Sequence, residues 1–213
     1  MFDDINLDDY IIKMEGILNQ LQNKEIPESY PKEIGSLGTM MAFSKNEKIF
    51  RENFILVSSY PLISKDWIRE LIPLLKNKRC LEIMAGSGML AKALSDEGIN
   101  VIATDSKEWD IDDSWFDVEK LDAIEAINKY GKDIDYVICS WIPYQSTIGT
   151  KVIETMRQVN PNLKMIYIGE LGGCCAEETF CYTVELLENE FISEANQKFK
   201  RWAGLRDKIY LLK

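Results

Sequence analysis

Two short apolar segments, each ending in a carboxylate and separated by a glycine turn, constrain the fold more than any other feature of this sequence. The first segment ends at Glu82, and a turn with Gly86 and Gly88 follows it. A helical pattern then runs as far as Gly98, and the second apolar segment ends at Asp105. In a nucleotide-binding βαβ unit, glycines let the backbone lie close to a ligand, and a strand-end acid accepts hydrogen bonds from ribose hydroxyls. The sequence therefore predicts an α/β fold with a ligand site at this turn.

The glycines alone do not identify the nucleotide, because Gly86-x-Gly88-x-x-Ala91 also fits the dinucleotide pattern. Asp105 would bind ribose in either case, so Glu82 is the residue that discriminates. A pyrophosphate is already anionic and needs no negative charge at the end of the first strand. A carboxylate there could instead pair with an ammonium or hold a cationic ligand nearby. A tight turn without a ligand is the simplest alternative, but it leaves two strand-end acids unexplained.

The segment Glu82-x-Met84-x-Gly86-x-Gly88 resembles motif I of the class I S-adenosylmethionine (SAM)-dependent methyltransferases, usually acid-x-Gly-x-Gly-x-Gly. Met84 stands where the family has its first glycine. The resemblance covers about residues 60–175 and implies SAM as the cofactor. It also implies a seven-stranded, mostly parallel Rossmann-like sheet with helices on both faces and a C-terminal β-hairpin. SAM carries a sulfonium and an α-ammonium but no phosphate, which agrees with a carboxylate at Glu82.

The resemblance also implies a cofactor site at the carboxyl ends of the strands. The two glycines of the turn would approach the methionine part of SAM, and Asp105 would accept the ribose hydroxyls. Asp122 and Ala123 would meet the adenine amino group, although Asp122 could instead cap the helix that begins there. Ser140 and Trp141 would lie beside the cofactor on its substrate side. The predicted cofactor-binding residues are Tyr60, Glu82, Ala85, Gly86, Ser87, Gly88, Asp105, Asp122, Ala123, Ser140 and Trp141.

Glu170 is the leading candidate for acid–base catalysis, and Tyr144 is the second. Glu170 follows a strand pattern within a glycine-rich segment, where it could alternatively order the loop by accepting hydrogen bonds from backbone amides. The segment 141–144, Trp-Ile-Pro-Tyr, resembles the Asn/Asp-Pro-Pro-Tyr loop of amino-methylating enzymes. Its polar residue is replaced by Trp141, so adenine N6 methylation is poorly supported. An aromatic wall for a substrate or a sulfonium cation remains, through cation–π attraction.

Composition excludes several classes of function. The 213 residues include no histidine, so histidine triads and zinc–histidine sites are excluded, and we predict no metal site. The formal net charge of −10 disfavours a nucleic-acid partner, and no apolar run has the length of a membrane span. The first residues do not resemble a signal peptide, and the five cysteines form no C-x-x-C pair. We therefore expect reduced thiols and a cytoplasmic location.

The apolar pattern predicts one structural unit with an N-terminal helical cap, residues 1–76, and an α/β domain, residues 77–213. The resemblance implies that this second part is the SAM-binding Rossmann-like methyltransferase domain. The cap either covers the ligand or only packs on the sheet. Asn6 and Ser64 are the expected caps of its first and third helices. Helices are predicted at 7–22, 46–57, 65–76, 121–130, 147–158 and 176–188. Strands are predicted at 79–84, 100–104, 116–119, 135–140, 164–168, 191–200 and 207–212.

Together these features predict a SAM-dependent methyltransferase that acts on a small molecule or another non-nucleic-acid acceptor. A histidine-free site is no obstacle, because positioning supplies much of the rate of methyl transfer. A SAM-binding regulatory or partner subunit without catalysis is the alternative, favoured by Met84 and by the altered proline loop. An enclosed acceptor pocket beside Glu170 would count against it. An NAD-type oxidoreductase is disfavoured by Glu82.

Overall fold

A seven-stranded sheet forms the centre of the computed structural model, which describes residues 7–35, 41–108 and 114–213. The strands are β1 (Arg79–Ile83), β2 (Asn100–Asp105), β3 (Val118–Lys120), β4 (Tyr136–Ser140), β5 (Lys164–Gly169), β6 (Leu186–Leu187) and β7 (Lys208–Leu212). Their order is β3-β2-β1-β4-β5-β7-β6, and β7 runs antiparallel to both of its neighbours. The doubly wound dinucleotide-binding order, 3-2-1-4-5-6, has no such inserted strand. The predicted mostly parallel sheet with a C-terminal antiparallel pair is therefore confirmed, and it has the order that the resemblance to methyltransferases implies.

Eight helices surround the sheet in the described part of the chain. They are α1 (Leu7–Gln22), α2 (Met41–Val57), α3 (Lys65–Leu75), α4 (Met89–Asp96), α5 (Ala123–Tyr130), α6 (Ile148–Val159), α7 (Glu178–Thr183) and α8 (Glu190–Lys198). Helix α2 begins five residues before the predicted start. The Ser64 hydroxyl at the start of α3 donates to the Asp66 carboxylate, which in turn accepts the Trp67 amide, so the cap acts through Asp66. The predicted cap at Asn6 lies outside the described residues.

Alternate residues of the central strands face two separate cores. Ile166 and Ile168 of β5 face a core that also contains side chains of α1, α2, α3, α4 and α8. Met165 and Tyr167 face the other core, beneath α5 and α6. Strands buried on both faces are typical of parallel sheets covered by helices. The predicted helices on both faces are thus confirmed.

The C-terminal quarter differs from the sequence prediction. The predicted strand at 191–200 is wrong, because this segment contains α8. The Asn189 side chain accepts hydrogen bonds from the amides of Phe191 and Ile192 at 3.0 and 3.2 Å, which starts the helix. Ile192 and Ala195 recur at helical spacing and are buried. The predicted helix at 176–188 is also shorter, since α7 ends at Thr183 and β6 follows.

Within the described residues, no helix combines the length and the apolar composition that a bilayer crossing requires.

Candidate functional site

The turn after β1 has an alternating left-handed backbone. Met84, Gly86 and Gly88 have φ angles of 53°, 56° and 77°. A left-handed conformation costs a residue with a Cβ roughly 1–2 kcal/mol, so Met84 keeps the glycine conformation at an energetic cost. At Gly88 a Cβ would also lie 2.8 Å from Val118 Cγ2 and 2.9 Å from Phe116 Cβ. All three positions of the turn thus have a backbone conformation that favours glycine, including the one occupied by methionine.

Asp105 and the glycine turn are brought into direct contact. The Gly86 amide donates to Asp105 Oδ2 at 2.9 Å, and the Lys107 amide donates to Oδ1 at 2.7 Å. The Ala85 amide donates to the Thr104 carbonyl at 3.0 Å, which holds the turn against the end of β2. The predicted ribose-binding acid thus lies beside the predicted glycines.

Glu82 is a buried carboxylate without a cation beside it. Its side chain is 1% exposed, and its Oε2 has no hydrogen-bond partner among the described residues. Burial is the main cause that raises its pKa, which is about 8. The charge of Asp105 also raises this pKa, whereas a hydrogen bond from the Ala91 amide of α4 lowers it. Two carboxylates therefore converge on this turn. A ligand that brings positive charge would relieve this unfavourable arrangement.

The end of α2 is hydrogen-bonded to the glycine turn after β1 and to Trp115, which contacts that turn. The Ser87 hydroxyl donates to the Ser58 carbonyl at 2.6 Å, so it is directed at α2. The Trp115 amide donates to the Ser87 carbonyl at 2.7 Å, and the Trp115 indole donates to the Val57 carbonyl at 2.9 Å. Ser87 therefore links the turn to the N-terminal helices. A contact between Ser87 and the cofactor stays a prediction.

Asp122 caps helix α5. One of its carboxylate oxygens accepts the amides of Ile124 and Glu125 at 2.8 and 2.9 Å, and the Glu125 side chain accepts the Asp122 amide. This is a complete capping box. Ala123 is buried in the first turn of the same helix. The capping interpretation of Asp122 is thus observed, and contact with adenine stays a prediction.

An aromatic pair lies directly beyond β4. Trp141 follows Ser140, the last residue of that strand, and its ring stacks on Tyr60 with centroids 5.2 Å apart and planes at 13°. The Arg51 guanidinium carbon lies 5.7 Å from the centroid of Trp141. Tyr144 is on the following loop and is 64% exposed. The structure thus joins Tyr60 and Trp141, two predicted cofactor residues that are distant in sequence.

Glu170 uses its carboxylate to order the loop after β5. Its Oε2 accepts the Cys174 amide at 2.8 Å, and its Oε1 accepts the Arg206 amide at 2.5 Å. Any Cβ at Gly173 would lie 1.5 Å from Oε2, so only glycine leaves room for this arrangement. Glu170 thus accepts hydrogen bonds from backbone amides, as the alternative prediction of a loop-ordering role expected. A role of Glu170 in acid–base catalysis stays a prediction.

Asp207 is a site residue that sequence reasoning missed. Its side chain is 2% exposed; Oδ2 accepts the Trp141 indole N–H at 3.1 Å, and Oδ1 has no hydrogen-bond partner among the described residues. Burial raises its pKa to about 6; the bond from Trp141 opposes this shift, Glu170 adds to it, and Arg51 and Arg201 oppose it.

The antiparallel direction of β7 explains the position of Asp207. Lys208 pairs with Gly169, so the residue before β7 lies beside the carboxyl end of β5. In open α/β sheets, ligands bind at this edge. The sequence did offer a signal for Asp207, because it is the first residue of the predicted strand 207–212. If that strand is antiparallel, it starts at the edge where the parallel strands end.

A cleft of about 350 Å³ opens at Asp207. It is lined by Ile34, Gly35, Asn196, Phe199, Lys200, Arg201, Asp207 and Lys208. A larger cleft of about 650 Å³ lies between β6, α8 and β7 and contains none of the predicted site residues. The smaller cleft also lacks predicted site residues, but we associate it with the site because Asp207, which accepts the Trp141 indole N–H, lines it. Within the described residues, no three histidine, cysteine, aspartate or glutamate side chains are grouped to hold a metal ion.

Comparisons with known proteins reveal similarity at the level of the fold. No protein-family model and no curated protein matches the sequence. A SAM-dependent methyltransferase from Archaeoglobus fulgidus is 18% identical, over 70% of this chain and 92% of its own, with a TM-score of 0.43. TehB from Haemophilus influenzae is 10% identical, over 76% of this chain and 65% of its own, with a TM-score of 0.40. Human N-acetylserotonin methyltransferase is 12% identical, over 94% of this chain and 66% of its own, with a TM-score of 0.41. At this identity and TM-score the likeness carries no information about single residues, so the function has to be inferred from the site itself.

Proposed function

We propose that this protein is a class I SAM-dependent methyltransferase that acts on a small-molecule acceptor and not on nucleic acid. The main support is the convergence of two strand-end carboxylates on one glycine turn. Glu82 is buried with an open Oε2, and Asp105 accepts the Gly86 amide at 2.9 Å. A pyrophosphate would add negative charge to this pair. SAM would bring an ammonium and a sulfonium, and ribose hydroxyls for Asp105.

Positioning of the acceptor is the main task left to the protein, because SAM supplies a methyl group on a carbon that its sulfonium already activates. The stacked pair of Trp141 and Tyr60 would form an aromatic wall beside that carbon, since it follows β4 at the carboxyl edge of the sheet. No histidine is needed for this arrangement.

Two features favour an enzyme over a SAM-binding regulatory or partner subunit. A cleft of about 350 Å³ opens at Asp207, whose neighbour Arg206 donates its backbone amide to Glu170. Met84, the main reason to expect a disabled turn, has a left-handed backbone conformation that favours glycine.

Calorimetric titration with SAM, and with NADH in parallel, tests the proposal. We expect micromolar SAM binding and no NADH binding. Gly86→Arg should abolish SAM binding because its side chain would enter the cofactor site, while Gly16→Arg is the matched control on the open surface of α1. Asp105→Ala should also abolish binding. Since Asp105 also orders the turn, Asp105→Asn should accompany it, with circular dichroism to verify folding.

Each alternative predicts a different result in these titrations. Binding of NADH in preference to SAM would overturn the proposal in favour of an oxidoreductase. Wild-type SAM affinity in Gly86→Arg would reject the assigned site. SAM binding without methyl transfer to any acceptor would identify a regulatory or partner subunit.

A further inference from the structure

Two buried hydrogen-bonding atoms that lack partners in the described part of the chain, one on Arg51 and one on Asp207, lie near the same aromatic ring. Arg51 Nε and Asp207 Oδ1 are both buried, and neither has a hydrogen-bond partner among the described residues. The Trp141 indole donates to the other oxygen of Asp207 at 3.1 Å, and its ring lies 5.7 Å from the Arg51 guanidinium carbon. Buried polar atoms without partners are costly, so their presence at one place indicates a ligand that satisfies them.

These atoms lie where an acceptor would have to bind. Asp207 is at the start of β7, beside the carboxyl end of β5, and it lines the cleft of about 350 Å³. Trp141 directly follows β4 and stacks on Tyr60. The proposed cofactor turn follows β1, the neighbour of β4 in the sheet. The two atoms of Arg51 and Asp207 therefore lie at the same edge of the sheet as the cofactor turn, next to Trp141, which is predicted to lie on the substrate side of the cofactor.

We propose that Asp207, Arg51 and Trp141 form the acceptor subsite and that the acceptor is a small aromatic or heteroaromatic amine. Its N–H donates to Asp207 Oδ1, its ring lies against the aromatic pair, and Arg51 Nε donates to a ring nitrogen or carbonyl oxygen. This assignment rests on the proposed methyltransferase function.

The available base explains why an aromatic amine fits better than other acceptors. A carboxylate is too weak to deprotonate an aliphatic alcohol, and an alkylamine is protonated at neutral pH and has no free lone pair. A phenolate would add a third negative charge beside Asp207 and Glu170. An aromatic amine is neutral and keeps its lone pair. Its attack forms the nitrogen–carbon bond as the sulfur–methyl bond breaks; sulfur keeps the electron pair, and the amine proton passes to Asp207 Oδ1.

Binding of matched ring compounds tests the subsite without measuring turnover. Aniline, phenol, benzoate and aminopyrimidine are titrated into the protein in the presence of SAM. The reporter is the Trp141 indole N–H resonance, assigned by its loss in Trp141→Phe. We expect aniline and aminopyrimidine to shift it, aminopyrimidine to bind more tightly than phenol because only it also accepts from Arg51, and benzoate not to bind. Asp207→Asn should weaken both amines about tenfold, as loss of a charged hydrogen-bond partner does.

Two further variants separate the roles of the charged groups. Arg51→Met should weaken aminopyrimidine more than aniline, because aniline has no ring acceptor and loses only the effect of Arg51 on the charge of Asp207. Asp133→Asn, an exposed aspartate, is the matched control and should change neither. Tighter binding of phenol or benzoate than of aminopyrimidine, amine affinity that is unaffected by Asp207→Asn, or no binding of any probe would overturn the proposal. SAM is titrated into the same samples to separate failure of the subsite from failure of the cofactor site. Amine binding without SAM binding would reject the proposed methyltransferase function and leave the amine subsite standing.

Discussion

A buried carboxylate at the end of β1 makes the stability of this protein depend on pH. Burial raises the Glu82 pKa from 4.5 to about 8, so the folded protein holds this proton more tightly than the unfolded chain does. The contribution of Glu82 to stability is therefore complete below pH 4.5 and decreases as the pH rises to about 8. The same carboxylate is the group that a positively charged cofactor would neutralise. The buried charge of Glu82 thus destabilises the free protein at high pH, and a cationic ligand that neutralises it would gain affinity.

Glu82→Gln should stabilise the free protein at high pH. The neutral side chain removes the cost of a buried charge, so we expect the free energy of unfolding at about pH 9 to increase by a few kcal/mol, with little change at about pH 5. Urea denaturation at both values measures this, with the exposed Glu188→Gln as control. The variant should also lose SAM affinity. Destabilisation by Glu82→Gln at both pH values would contradict this account of the charge.

Met84→Gly should stabilise the fold and preserve cofactor binding. Met84 has a φ of 53°, and glycine adopts this conformation without the steric cost of a Cβ. Allowing for the greater entropy of glycine in the unfolded chain, we expect a gain of about 1 kcal/mol. The urea midpoint measures this gain. Asn77→Gly, at φ 62°, is the control and should gain less, because asparagine tolerates this region better than methionine. An equal or smaller gain at Met84 would show that its side chain compensates the strain.

The sequence pointed to the residues of the proposed cofactor site but not to those of the proposed acceptor subsite. Glu82, the glycines and Asp105 lie within one short βαβ unit, so their proximity follows from local connectivity. Arg51 and Asp207 are far apart in the chain and meet at Trp141 only through packing of α2 and the start of β7. The bonds of Asp122 and Glu170 to backbone amides were open to prediction as alternatives, since Asp122 and Glu125 have the spacing of a capping box.

Helix and strand predictions succeeded where the apolar pattern was clear. Strands β1, β2, β4 and β5 follow apolar runs, and α1 has the predicted bounds. Residues 191–200 were predicted as a strand because the fold needs an antiparallel pair at its end. The cap at Asn189 and the helical spacing of Ile192 and Ala195 produce α8 instead, while β6 needs only Leu186–Leu187. Local capping overrode the expectation from the family.

Helix α5 allows the capping and cofactor roles of Asp122 to be separated. Asp122→Ala removes the acceptor for two backbone amides and should cost about 1 kcal/mol of stability. Asp122→Asn retains a good capping group and should be nearly neutral for stability, but it changes the charge that would face adenine. We expect Asp122→Asn to weaken SAM binding in calorimetry if Asp122 meets the adenine amino group. Unchanged affinity together with unchanged stability would leave Asp122 as a cap only.

The N-terminal helices and the sheet share one core, which bears on how the whole protein unfolds. Met14 of α1, Phe54 of α2 and Trp67 of α3 belong to the same buried cluster as Ile138 of β4 and Ile166 of β5. The turn that would hold the cofactor is also bonded to the end of α2, through the Ser87 hydroxyl. We therefore propose that residues 1–76 act as a helical cap on domain 77–213 within one cooperative unit.

Hydrogen exchange should reveal this cooperativity. Because the cap helices bury their apolar faces against the sheet, peptides from α1 and α3 should have nearly the same highest free energy of opening as peptides from α5 and α6, which lie on the opposite face. Mass spectrometry across a range of urea concentrations measures both sets together. SAM should protect both sets equally, since it binds a turn that is bonded to each part of the fold. If α1 and α3 open at a much lower free energy while the sheet stays protected, the cap is a separate folding unit. Protection by SAM confined to the sheet would then show that the cap does not sense the ligand.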